Sequence, residues 1–265
     1  MTTGLGRFAI RAATVAALAF LYIPIAIIAL YAFNQDRAQS WPIVNFTTDW
    51  FGVALSNGDL LAALVLSIQI GLAATLVAIV LGTLAALAIH RFSFFGRDAV
   101  SFLFVLPIEL PGIVTGMALN DTINTTGIGF SAFTVAIGHA TFCIVVVFNN
   151  VIARLRRTSR SIEEASMDLG ADAVQTFRYV TFPMVRTALL AGGLLAFALS
   201  FDEIVVTNFT AGTETTLPIW ILNNLARAAQ RPIVNVVALF VIVISIVPVY
   251  LAQRLSSDTS GVTSR

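Results

Sequence analysis

The sequence contains no lysine, since all fifteen of its basic residues are arginine. A P-loop nucleotidase needs the lysine of GxxxxGK[ST] to contact the nucleotide phosphates, and that motif does not occur here. A Schiff-base enzyme needs a lysine amine as well. By itself, the chain is therefore neither a P-loop ATPase nor a Schiff-base enzyme.

Histidine and cysteine are almost as scarce. His90 and His139 are the only histidines, and they lie too far apart in sequence for metal-ligand spacing. The single cysteine, Cys143, cannot form an internal disulfide, and its apolar surroundings are typical of a small buried residue. We also find no nucleophile–base pair, so we expect no catalytic residue, metal or cofactor in this chain and regard a membrane enzyme as a remote alternative.

Charged residues make up only 11% of the 265 residues, whereas 58% are hydrophobic and the mean hydropathy is +0.90. A soluble domain carries about 25% charged residues. This composition indicates a polytopic membrane protein, and the net charge of +1 gives no sign of a nucleic-acid partner.

A helix needs about 20 apolar residues to cross a bilayer. Six stretches approach or exceed that length, and they predict an all-α protein in which residues 1–265 form a single transmembrane domain. The first is longer than the apolar region of a signal peptide, about 7–15 residues, and no small-residue cleavage site follows it, so we expect it to be retained. The predicted spans are Ala12–Phe33, Leu60–Ile89, Phe102–Leu119, Phe130–Ile152, Ala188–Val206 and Ile233–Leu251.

The arginines are distributed unevenly between the two sides of these spans. If the N-terminus is cytoplasmic, only Arg37, Arg227 and Arg231 of the fifteen arginines lie outside. Because cytoplasmic loops are enriched in arginine and lysine, this bias predicts that both termini are cytoplasmic. It also places a polar loop at about residues 153–187 on the cytoplasmic side.

Prolines and carboxylates interrupt the apolar stretches. Pro107 and Pro111 in "LPIELPG" predict either a kinked structural helix or a broken helix that lines a pathway. The carboxylates of Asp202, Glu203 and Glu109 each cost about 2.5–3.5 kcal/mol at the centre of a membrane helix. They either reach toward the outer headgroups or line a pathway that attracts a cation, and we rank them as pathway candidates in that order.

The polar loop contains "EEASMDLGADAVQTFRYVTFPMV". An S-x-x-E capping box, Ser161 to Glu164, predicts a helix that begins near Ile162. Gly170 predicts a turn, and Asp172 predicts the cap of a second short helix that ends before Pro183. The residues alone leave two roles open for Glu164: it caps its own helix, or its helix docks on a cytoplasmic partner.

The same loop resembles the EAA signature of ABC importer permeases, which reads E-A-A, three residues, G, nine residues and I-x-L-P. Here EASMDLG (Glu164–Gly170) is followed after nine residues by VTFP (Val180–Pro183). The departures from the signature are Ser166, Val180 and Phe182. Together with "LPIELPGIVTGMAL" and "LLAFALSFDEIVVTNFTAG", the loop is similar to the spermidine/putrescine permease subfamily, of PotC-type and YdcV-type.

This resemblance implies a type I (MetI-like) permease fold with six transmembrane helices in a bacterial inner membrane. It implies four partner subunits: a homologous second permease, two ATPases that bind ATP and Mg, and an extracytoplasmic solute-binding protein. Glu164, Ala165, Gly170 and Pro183 would then couple the chain to an ATPase. The implied substrate is a polyamine; the alternatives are another small solute such as an amino acid or related amine, and a secondary transporter that works without ATPases.

The outer segment "TLPIWILNNLARAAQ" predicts a short interfacial helix or an external gate. Trp220 within this segment is typical of an anchor at the headgroup level of the membrane.

Overall fold

The computed structural model describes the backbone of residues 4–257 and the side chains of residues 6–246, except those at 98, 105 and 107–109. Helices are the regular secondary structure of this part of the chain, which also has one isolated bridge between Asn34 and Phe46 and no strand. The prediction of an all-α fold is confirmed. The α-helices are α1 Gly4–Tyr31, α2 Asp49–Leu55, α3 Gly58–Arg91, α4 Arg97–Glu109, α5 Gly112–Thr126, α6 Ala132–Arg156, α7 Ser161–Asp168, α8 Ala173–Thr176, α9 Phe182–Phe201, α10 Val205–Thr210, α11 Leu217–Leu225 and α12 Arg231–Ser257.

The described residues form two compact units. The first contains the described residues up to Leu61 together with Ile221–Val247. Aromatic contacts hold it together: the rings of Phe33 and Phe51 are 5.1 Å apart, and the rings of Phe51 and Phe240 meet edge to face at 5.7 Å. Aromatic pairs of this geometry stabilise by about 0.5–1.5 kcal/mol beyond their buried area.

The second unit contains Ala62–Trp220 and the described residues from Pro248. Its centre is α6, of which 61% of the apolar window is buried inside the protein, against 0% for α1. Two glycines allow neighbouring helices to approach α6 closely, because a Cβ atom on Gly82 would lie 2.8 Å from the Ile144 carbonyl oxygen and one on Gly192 would lie 3.2 Å from Val147 Cα. Small residues at helix contacts are the usual means of packing helices in a membrane.

Five of the six predicted spans appear as helices long and apolar enough to cross a membrane. The third is instead two shorter helices, α4 and α5, separated by Leu110 and Pro111 in extended conformations with ψ of 139° and 130°. Proline lacks an N–H and disfavours helical geometry at the preceding residue, so the chain breaks here. The helix is therefore broken at Leu110 and Pro111 and not merely kinked, although α4 continues through Pro107. That the break lines a pathway stays a prediction.

The second short helix of the polar loop does not stop before Pro183, and that prediction is wrong. Residues Ala173–Phe201 form one helical run, in which a π-helical turn at Phe177–Thr181 joins α8 to α9. In this wider turn the Phe182 N–H donates to the Phe177 carbonyl oxygen, five residues back. The wider turn accommodates Pro183, whose ring would otherwise clash with the carbonyl four residues earlier.

We expect Gly116→Ala to destabilise the protein by about 1–3 kcal/mol, the usual range for overpacking. A Cβ atom at this position would lie 2.5 Å from Cδ2, 3.0 Å from Cγ and 3.2 Å from Cβ of Phe209. Because Cβ and Cγ are involved, rotation of the phenyl ring does not relieve the overlap, and α5 must move away from α10. Thermal unfolding of the detergent-solubilised protein measures the effect.

Gly52→Ala is the matched control, since a Cβ atom on this helical glycine meets nothing within 4 Å. Its unfolding temperature should stay at or above that of the unmodified protein, because alanine favours a helix more than glycine does. An unfolding temperature for Gly116→Ala equal to that of Gly52→Ala would contradict the close packing of α5 and α10.

Candidate functional site

The first candidate site is the loop between α6 and α9, where Gly170 makes the turn after α7. Its φ is +90°, a conformation that side-chain-bearing residues rarely adopt. The Gly170 N–H donates to the Met167 carbonyl oxygen at 2.9 Å, and the Ala171 N–H donates to that of Ser166 at 3.1 Å. These two bonds define a Schellman turn, so the predicted glycine turn is confirmed.

The predicted capping box from Ser161 to Glu164 is wrong. Arg160 is the N-cap of α7, and Ser161 is already its first helical residue. The box occurs at α8 instead, where the Gln175 N–H donates to Asp172 Oδ1 at 2.8 Å and the Asp172 N–H donates to Gln175 Oε1 at 3.0 Å. The prediction that Asp172 caps a helix is therefore confirmed, and Glu164 is not needed as a cap.

A buried ion pair ties α7 to the rest of its unit. Glu163 is only 9% exposed, and its Oε2 lies 3.1 Å from both Nε and Nη2 of Arg91 at the end of α3. Its Oε1 accepts a hydrogen bond of 2.6 Å from the Thr181 hydroxyl in the π-helical turn. Arg91 Nη2 also donates to Thr181 Oγ1 at 3.1 Å. Three chain segments are thereby joined at one point.

Two opposing effects act on the pKa of the Glu163 carboxyl. Burial raises it, whereas the hydrogen bonds from Thr181 and Arg91 and the charge of Arg91 lower it, and the net pKa is below the usual value. The sequence analysis did not identify this residue. Two adjacent glutamates on a short helix are the signal that could have done so, because neighbouring side chains point about 100° apart and one can face the protein while the other faces outward.

The opposite side of the loop is open. Glu164, Ala165 and Pro183 are exposed, and their contact with a partner stays a prediction. Apolar side chains surround them, with Leu169 exposed to 90% and Val174 to 73%. A surface that combines an exposed carboxylate with protruding apolar side chains is typical of an interaction site.

The second candidate site is formed by the two helix breaks. Glu109 is the last residue of α4, immediately before the first break, and Asp202 is the C-cap of α9, immediately before the second. The side chain of Glu109 lies outside the described part of the structure. The C-terminal end of a helix carries a partial negative charge, so each break places a carboxylate residue where the backbone already favours a cation.

The helices that follow the two breaks pack against each other. A Cβ atom on Gly112, the first residue of α5, would lie 3.6 Å from Cγ1 of Val205, the first residue of α10. Further along, Asn120 Nδ2 donates to the Phe209 carbonyl oxygen at 2.7 Å. The structure thus brings together the two segments that the sequence analysis singled out separately.

Asp202 and Glu203 differ in what they contact. Glu203 Oε1 accepts a hydrogen bond of 2.9 Å from the Val206 N–H and so caps α10. The Asp202 side chain is exposed in the isolated chain. Glu203 therefore has a structural task, whereas the Asp202 side chain makes no such cap and is exposed.

Trp220 does not fit the headgroup anchor expected from the sequence. It lies in α11 and is only 6% exposed, whereas an anchor presents its ring to the lipid.

Comparison with known proteins matches residues 78–260 to the family described as binding-protein-dependent transport system inner membrane component. The putrescine transport system permease protein PotI of Escherichia coli strain K12 is 34% identical over 248 residues, which cover 89% of this chain and 87% of PotI. The spermidine/putrescine transport system permease protein PotC of Haemophilus influenzae is 33% identical over 240 residues, which cover 90% of this chain and 92% of PotC.

Two solved structures share the fold. One is a bacterial ABC transporter involved in the import of the acidic polysaccharide alginate, with a TM-score of 0.72 and 18% identity over 97% of this chain and 98% of that chain. The other is an amino acid ABC transporter, with a TM-score of 0.59 and 15% identity over 80% of this chain and all of that chain. Together with the sequence matches over most of its length, they show that this chain belongs to the inner membrane permease components of binding-protein-dependent transport systems, the ABC importers.

Proposed function

We propose that the chain is one permease subunit of an ATP-driven importer for polyamines such as putrescine and spermidine. The observation that carries the proposal is the pair of helix breaks, each preceded by a carboxylate residue and joined through the contact of α5 with α10. The named substrates of PotI and PotC, 34% and 33% identical, support it.

The chemistry of the breaks suits an ammonium group. A carboxylate in a cavity of low dielectric constant attracts a cation more strongly than it would in water. Asp202 supplies the charge, and the free carbonyl groups at the end of α9 supply further acceptors. Another small amine or an amino acid remains the alternative, because the alginate and amino acid transporters show that this fold accommodates different substrates.

In the proposed transporter, α7 is the coupling helix and seats in a cleft of an ATPase subunit. Glu164 meets a basic group there, Ala165 permits close contact, and Gly170 makes the turn that follows. Exposure of Glu164 and Leu169 supports this assignment. A secondary transporter would have no use for such a surface.

Two structural connections could transmit a motion of α7 to the membrane helices. The ion pair of Glu163 and Arg91 connects α7 to α3, and the helical run that contains Pro183 connects the loop to α9 and Asp202. ATP drives transport only if its binding favours one state of the complex over the other. Closure of the two ATPases would therefore move the break that carries Asp202.

The proposed complex contains this chain, a homologous second permease, two ATPases that hold ATP and Mg, and an extracytoplasmic solute-binding protein. The chain works as a single transmembrane domain of residues 1–265 in a bacterial inner membrane, with both termini and the coupling loop at 153–187 in the cytoplasm. The arginine distribution supports this orientation.

Asp202→Asn should impair uptake more than folding. The amide keeps the size of the side chain and removes its charge, and a charge-assisted hydrogen bond is roughly twice as strong as a neutral one. We expect polyamine uptake at low substrate concentration to fall by about tenfold, which corresponds to about 1.4 kcal/mol. Uptake rate against concentration in proteoliposomes, with thermal stability of the complex, measures both effects.

Asp49→Asn is the control, since it makes the same change at an exposed carboxylate in α2. Unchanged uptake by Asp202→Asn would remove this residue from the pathway. Joint loss of uptake and stability would show instead that Asp202 has a structural partner.

Gly170→Arg should uncouple the ATPases from transport. A Cβ atom at this position meets nothing within 4 Å, so the chain itself leaves space for the arginine side chain, although a φ of +90° strains the backbone. Gly170→Ala carries the same strain at φ of +90° without the bulk and charge, and serves as the matched control. Co-purification of the ATPases should be lost in the arginine variant and retained in the alanine variant; normal uptake by the arginine variant would exclude this loop as the docking site.

The purified chain should hydrolyse no ATP on its own, because it lacks the P-loop and every lysine. Hydrolysis should appear only when separate ATPase subunits are added. Phosphate release from the lone chain, compared with the same preparation denatured by heat, measures this. Hydrolysis by the lone chain above that background would contradict the proposed division of labour.

A further inference from the structure

A buried histidine in the middle of α6 bridges the second helix break. His139 is only 1% exposed. Its Nδ1 lies 2.7 Å from the Ser200 hydroxyl, and its Nε2 lies 2.8 Å from the Thr207 hydroxyl. Ser200 is in α9 and Thr207 is in α10, so one imidazole ring contacts both sides of residues 202–204.

The direction of each hydrogen bond follows from the number of protons available. The Thr207 hydroxyl donates to the Glu203 carbonyl oxygen at 2.7 Å. A hydroxyl has a single proton, so Thr207 must accept its other bond from Nε2–H of His139. In the neutral ring Nδ1 is then an acceptor, and the Ser200 hydroxyl donates to it. The three hydrogen bonds form one series with a single direction, from Ser200 through His139 and Thr207 to Glu203, which we call the His139 series.

The His139 series ends at Glu203, next in sequence to Asp202, the candidate ligand residue. Glu203 accepts the last bond through its backbone carbonyl and uses its carboxylate to cap α10. In sequence, Asp202 lies between Ser200 and Glu203, which are the two ends of the His139 series. The helix that carries His139 continues without a break from Ala132 to Arg156 and can serve as a fixed support.

We infer that His139 is a positioning residue for cation transport: it braces the break between α9 and α10 against α6 and so fixes the place of Asp202. The bracing itself follows from the hydrogen bonds, whereas its effect on a cation rests on the proposed function. A histidine that merely filled the core would stabilise the fold without fixing the geometry of the break.

The geometry is tested directly by electron paramagnetic resonance distances between spin labels on α6 and α10. The labels are attached to Ala153→Cys and Asn208→Cys, both at exposed positions, with Cys143→Ser removing the native thiol. Measured on the nucleotide-free complex, His139→Leu should broaden or shift the distance distribution. Thr207→Val should do the same, and Thr207→Ser, which keeps the hydroxyl, should restore it.

Thr134→Val is the matched control. Its buried hydroxyl shares its proton between the Ser131 carbonyl oxygen in the cap of α6, at 2.8 Å, and the Thr210 carbonyl oxygen in α10, at 2.9 Å. Thr210 is the last residue of α10 and lies further from the break than Thr207. The control should lower stability with little change in the distance distribution. A distribution for His139→Leu that matches the unmodified complex, or an equal change in Thr134→Val, would overturn the inference.

Uptake provides the second measurement. His139→Leu and Thr207→Val should each raise the half-saturating polyamine concentration by about tenfold, the scale of one lost buried hydrogen bond. The half-saturating concentration of the double variant should be no higher than that of either single variant, because the two residues belong to one series of hydrogen bonds. Additive effects, or losses that follow thermal stability in every variant including Thr134→Val, would overturn the inference.

The two measurements separate this inference from the proposed function. If the unmodified complex takes up no polyamine but the distances respond as expected, the substrate proposal fails and the brace stands. If the complex takes up polyamine and the distances do not respond to His139→Leu, the brace fails and the proposed function stands.

Discussion

Every backbone N–H and C=O group inside a bilayer must find a partner within the protein, and the architecture of this chain depends on that requirement. The continuous helices satisfy it locally. The interruptions depend on neighbouring residues. After Pro111 the chain forms a helix again and packs against Val205 and Phe209. At the second break, the Thr207 hydroxyl donates a hydrogen bond to the Glu203 carbonyl oxygen. Breaks in a membrane helix survive only with such shelter, and here the helices that follow the two breaks, α5 and α10, pack against each other.

The loop between α6 and α9, the coupling loop of the proposed transporter, is held together by different interactions. It uses a glycine turn, an aspartate cap and a buried ion pair, which are the means by which small soluble domains become rigid. The ion pair matters most, since separating Glu163 from Arg91 would leave a charge that is largely buried and without its partner. Rigidity allows the loop to transmit a displacement instead of absorbing it.

Length, apolar runs and composition predicted the all-α fold and five of the six spans, because a crossing needs about 20 apolar residues whatever the local detail. Gly170 and Asp172 were also predictable, since each has a local reason for its residue type. Three features were not. The role of Glu163 depends on Arg91, which is distant in sequence, and the partners of His139 come from two other helices. Pro183 was expected to end a helix, but a π-helical turn accommodates its ring and lets the helix continue.

The ion pair between Glu163 and Arg91 also bears on how such a complex is assembled. The pair lies wholly within one chain, so α7 holds its shape before any other subunit arrives. A partner that meets a preformed helix does not have to supply the free energy for ordering it, which favours tighter and faster association. In the proposed complex, a newly inserted subunit would therefore have its docking surface formed in advance, and the order in which the other subunits arrive need not be fixed.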